Sequence, residues 1–165
     1  MALALTACAG GDGAAPAATD ASSSSVEGLT QAPTPTPSPT PTVMSKEQAG
    51  AKYLELVAPS NALVAPFNAA LEADDVATVR TLCAQSATAY RGFADGLIAA
   101  QWPAEVQPAV DRLVTDLAGE ISAFATAGAS ETDDQLWAAL NARPAPSGAG
   151  QEIRMLLGLG NVPAG

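Results

Sequence analysis

The residues with chemical potential in this chain are two pairs of adjacent acids, one internal cysteine beside an arginine, and two lysines near a serine. Asp74 and Asp75, or Asp133 and Asp134, are the residue type that glycoside hydrolysis uses in pairs. Both pairs stand where a helical pattern begins, so their expected role is capping, with side-chain oxygen and negative charge serving a helix N-terminus. A hard-metal site from Glu72, Asp74 and Asp75 lacks the spaced ligands and glycine of a calcium loop, so no metal is expected. Cys83 lies three residues after Arg80, a cation that could lower a thiol pKa, but its place on the apolar side of a helical pattern predicts a small core side chain. Ser–Lys catalysis would need Lys46 or Lys52, the only lysines, and both fall at the exposed start of the first helical pattern.

The chain contains no histidine. Ser/His/Asp and Cys/His nucleophiles are therefore excluded, as are the histidine-containing zinc, di-iron and c-type haem motifs. No catalytic residue and no cofactor is expected. The balance of 17 acidic against 7 basic residues, a formal net charge of -10, opposes contact with phosphate backbones, so nucleic acid is not an expected partner. The same charge argues against electrostatic adhesion to anionic lipid.

Leu5-Thr6-Ala7-Cys8 resembles the lipobox of bacterial lipoproteins, and the taste for alanine and valine with few lysines resembles those of high-GC Gram-positive bacteria. The resemblance implies that Cys8 is acylated with a diacylglycerol and becomes the mature N-terminus. Residues 1–7 then read as the remnant of a signal peptide, whose charged region and longer apolar stretch are expected upstream. Two acyl chains suffice for stable anchoring. The implied address is the cell membrane, lipid-anchored through Cys8, with the domain on the extracytoplasmic side; Cys83 is then left without a disulfide partner.

Residues 8–43 read as a disordered tether. Its Gly/Ser/Ala-rich beginning has too little apolar surface to offset the entropy of ordering. From Pro33 to Thr42 proline alternates with Thr or Ser, a pattern that predicts extended polyproline II of roughly 30 Å. That stretch also has the composition of an O-glycosylated stalk.

Residues 44–165 carry helical periodicity throughout, and the expected fold is all-α: an irregular up-and-down bundle of about three longer and two short helices. Ser45-Lys46-Glu47-Gln48 reads as a capping box for a first helix reaching about Ala73, kinked or broken near Pro59. A second, opened by Asp74 and Asp75, ends near Gln101 because Trp102 precedes Pro103. A third starts with Pro103 or Pro108 in its first turn and stops at Gly128. Ser130 with Asp133 and Asp134 opens a fourth bearing Leu136, Trp137 and Leu140, and a last short helix carries Ile153, Met155, Leu156 and Leu157.

Two functional expectations follow. The first is a non-catalytic interaction module, held away from the membrane and presented to an envelope protein, with Trp102 and Trp137 as core plugs or, if exposed, partner anchors. The alternative is a carrier of a small apolar or amphipathic ligand in a cavity between helices, opened by Pro59, Pro66, Gly92 and Gly96.

Overall fold

Capping chemistry sets the beginning of the folded part. Gln48 N donates to Ser45 Oγ at 3.2 Å and Ser45 N donates to Gln48 Oε1 at 2.8 Å, the reciprocal pair expected from the sequence. In the computed structural model, which describes residues 43–160, this box opens α1, Lys46–Asn61. There follow α2, Val64–Glu72; α3, Val76–Ala99; α4, Gln107–Gly128; α5, Asp133–Asn141; and α6, Ala149–Leu156. The described residues are all-α, without strand. The residues that resemble a lipobox and the expected tether up to Thr42 lie outside the described residues.

Among the described residues the expected three longer and two short helices become six, because the first predicted helix is two. Its break falls at Ala62 and Leu63 rather than at Pro59, which is accommodated inside α1. The reason lies with Pro66. In a continuous helix it would crowd the Ala62 carbonyl and leave it without a donor; with α2 starting at Val64, it occupies the first turn, where no amide donor is needed.

Asp74 and Asp75 divide their labour. Asp75 is the cap of α3: its Oδ1 accepts from Thr78 N at 3.0 Å and its Oδ2 from Thr78 Oγ1 at 2.6 Å. These bonds hold its carboxyl below the ordinary carboxylate pKa. Asp74 instead adopts φ +52°, a left-handed conformation that Asp tolerates better than most residues. Asp75 N reaches Ala70 O at 2.9 Å and Asp74 N reaches Leu71 O at 3.2 Å, the paired bonds of a Schellman ending for α2.

The cap of α5 also differs from expectation. It is Thr132, in a box with Gln135, and not Ser130. Ser130 Oγ instead donates to Ala127 O at 2.7 Å and accepts from Arg80 Nε at 3.1 Å, while Arg80 Nη2 donates to Asp133 Oδ1 at 2.9 Å. Arg80 thereby joins α3 to the start of α5. Pro108 occupies the first turn of α4, and Pro103 lies in the preceding turn.

The two long helices, α3 and α4, form the axis, and two apolar clusters pack around it. One joins α1, the later part of α3, the earlier part of α4 and α6, through residues such as Tyr53, Leu97, Val110 and Ile153. The other joins α2, the earlier part of α3, the later part of α4 and α5, through Val79, Cys83, Phe124 and Leu136. Tyr90 packs against both clusters and marks their seam. Not every residue of the predicted apolar faces is covered: Ile98 is 67% and Met155 59% exposed.

Candidate functional site

At the seam, the end of α1, the start of α2 and the middle of α3 and α4 do not close completely. They leave a cleft of about 530 Å³, bounded on its remaining side by the segment that joins α5 to α6. This volume is within the range of small-ligand sites. Its walls are mostly apolar, with Val57, Phe93, Leu113 and Leu117 among them. A second hollow of about 320 Å³ shares Ser60, Val64, Tyr90 and Arg143 with the first and continues along α2 to Phe67 and Leu71.

The connecting segment is held in place by specific contacts. Ser147 donates to Asp116 Oδ2 through its amide at 3.2 Å and through its hydroxyl, and Ala149 N donates to Ser147 Oγ at 3.2 Å. Pro144 lies so close to α4 that a Cβ on Gly119 would stand 2.7 Å from its Cγ. Gly148, at φ +83°, supplies the left-handed residue that turns the chain into α6.

Three polar side chains converge where the two hollows meet. Arg143 Nε donates to Glu120 Oε2 at 2.8 Å, and the guanidinium carbon stands 4.7 Å from the centre of the Phe124 ring. The Glu120 side chain is only 15% exposed, so this is a partly desolvated pair. The Tyr90 ring lies 5.6 Å from that of Phe124, and burial, assisted by the Glu120 charge, pushes its phenol pKa upward. Tyr90 therefore keeps its proton at neutral pH.

Residues singled out in the sequence fall elsewhere. Cys83 is fully buried, and burial raises its thiol pKa despite the opposing charges of Arg143 and Arg80. Arg80 is engaged by Ser130 and Asp133. Thiol reagents are expected to modify Cys83 about a hundredfold or more slowly in the native chain than in denaturant, a difference set by local opening. Timed alkylation of a chain carrying Cys8→Ala measures this; equal rates would show an accessible thiol.

Lys52 forms a surface pair with Glu55 at 3.0 Å. The acids of both pairs are exposed, and those of the second lie in the first turn of α5. Among the described residues no group of three or more His, Cys, Asp or Glu is placed to hold a metal. Trp102 is buried and Trp137 is 38% exposed.

Of the positions that cavity reasoning from small residues selected, Pro59 lines a separate, open hollow with Arg80, Ala84 and Gly128. Neither Pro59, Pro66, Gly92 nor Gly96 lines the cleft. Leu56 fills the space beside Gly96, where a Cβ would meet its Cδ2 at 2.2 Å, and Gly92 faces open space. The residues that sequence reasoning missed are Glu120 and Arg143, 23 positions apart and separated along the chain by the end of α4 and the whole of α5. Tyr90 was legible as a core residue, but not as one that lines a cleft. No protein-family model, no curated protein and no solved structure matches this chain.

Proposed function

We propose that this chain is a non-catalytic helical binding module of the bacterial cell envelope, anchored by acyl chains on Cys8, that holds a small amphipathic molecule in the seam cleft. The observation that carries the ligand part is the cleft itself: a largely apolar concavity with a few convergent polar groups. The anchor rests on the lipobox resemblance at residues 5–8. An acyl-anchored carrier facing the outside would have its ligand and its membrane within one tether length of each other.

Native mass spectrometry of the chain after incubation with an envelope lipid extract tests the ligand part. The expected result is a discrete adduct that disappears on denaturation. A mass unchanged across extracts would overturn it and favour the other reading, an interaction module for an envelope protein. For that reading the partly exposed indole of Trp137 is the supporting observation, since aromatic side chains dominate binding hot spots.

The anchor has a separate test. With a complete signal peptide supplied, Cys8→Ala is expected to move the protein from the membrane fraction to the soluble fraction, because among the described residues no helix is long and apolar enough to cross a membrane. Unchanged membrane association of the variant would refute the acyl anchor.

A further inference from the structure

Hydrogen-bonding groups are unevenly placed in the two hollows. The carboxylates Asp116 and Glu120 line only the first, and each accepts through one oxygen, Asp116 Oδ2 from Ser147 and Glu120 Oε2 from Arg143 Nε. Arg143, in contrast, has five N–H donors in a planar fork, and among the described residues only Nε is used by a side-chain acceptor. The Tyr90 hydroxyl likewise has no hydrogen-bond partner among the described residues, and both side chains line both hollows. What remains at the meeting point of the hollows is donor capacity beside apolar walls.

We infer that the cleft takes an amphiphile with a carboxylate head, its apolar chain lying along Val57, Phe93, Leu113 and Leu117 and its head accepting from Tyr90 Oη and the terminal nitrogens of Arg143. The identification deepens, and rests on, the reading of the cleft as a ligand site. A carboxylate is the head whose two oxygens match the guanidinium fork, and charge assistance strengthens those bonds. The raised phenol pKa keeps Tyr90 a donor at neutral pH. Neither carboxylate lines the second hollow, so an ammonium head has no acidic partner common to both. Asp116 and Glu120 oppose an anionic head within the first hollow, which places that head at the Tyr90 and Arg143 side chains that both hollows share.

The experiment uses three fluorescent probes with the same long alkyl chain, ending in a carboxylate, an alcohol or a trimethylammonium group, titrated into the whole chain. The carboxylate is expected to bind about tenfold more tightly than the alcohol, with the ammonium weakest. Arg143→Met should bring the carboxylate down to the affinity of the alcohol. Because that variant leaves Glu120 without its partner, Tyr90→Phe is the companion: it keeps the ion pair and should weaken the carboxylate about threefold to tenfold while sparing the ammonium. Equal binding of all three probes, or preference for the ammonium, would overturn the inference while the cleft stood as a ligand site. Binding of none of them would remove the ligand site and the inference together.

Discussion

Replacing Trp102 with alanine is expected to destabilise the domain by about 3–5 kcal/mol, a large fraction of the roughly 5–15 kcal/mol that a domain holds. The indole is buried in the cluster that joins α1, α3, α4 and α6. It also donates from Nε1 to the Leu97 carbonyl at 2.7 Å. Leu97 belongs to the last turn of α3, where carbonyls have no amide four residues ahead within the helix, so the side chain acts as a C-terminal cap reaching back from beyond the helix end. Trp102→Phe separates the two contributions. It retains much of the apolar volume but leaves a buried acceptor unpaired, at a cost of about 1–3 kcal/mol. Chemical denaturation with matched slopes measures both variants. A loss below about 1 kcal/mol for Trp102→Ala would mean that neither the burial nor the cap is energetically important.

Glycine-to-alanine exchanges at two helical positions are expected to have opposite signs. Gly128 ends α4 against the backbone of α3: a Cβ there would lie 2.7 Å from Ala84 N and 2.9 Å from Ala84 Cα. Backbone atoms inside a helix cannot turn aside as a side chain can, so Gly128→Ala must push the two central helices apart. Overpacking of this kind costs about 1–3 kcal/mol. At roughly 4 °C per kcal/mol for a domain of this size, the midpoint should fall by about 4–12 °C. Gly92 lies within α3 with nothing near its missing Cβ. Gly92→Ala removes conformational freedom from the unfolded chain without a clash and should stabilise by about 0.5–1 kcal/mol. Thermal unfolding of the pair is the check, and a stabilised Gly128→Ala would show that α3 and α4 do not approach this closely.

The two experiments concern the same architectural fact. The close approach of α3 and α4 at Gly128 and the capping of α3 by Trp102 fix the central pair near its two ends. Between those ends, at Tyr90 on α3 and Glu120 on α4, the flanking elements do not meet, and the cleft lies there. On the α5 side it is bounded by a segment rich in proline, which fills space without supplying a helical face. A ligand held there would be gripped by rigid helices on one side and a short connection on the other.

Sequence reading recovered what depends on neighbours along the chain. The Ser45 capping box, Asp75 as a cap, the stop after Gly128 and the helical periodicity are settled by interactions spanning a few residues, and each is present in the structure. The shift of the helix break from Pro59 to Ala62 was legible in principle, because the two prolines compete and only one can be moved into a first turn. Thr132 in place of Ser130 was a choice between two adequate caps, decided when Arg80 from α3 engaged Ser130.

The sequence by itself determined that this chain builds helices from Ser45 onward, that it lacks the histidine on which many catalytic and metal sites depend, and that it carries a formal net charge of -10. Those conclusions follow from residue types and from spacings shorter than two helical turns. Only the tertiary structure decided that Gly96 would be filled by Leu56, that Ile98 would be left exposed, and that Tyr90, Glu120 and Arg143 would meet at one cleft. The physical reason is that a periodic pattern specifies which side of a helix is apolar, but not which helix will cover it or how far along. That depends on the lengths, crossing positions and close approaches of six helices at once.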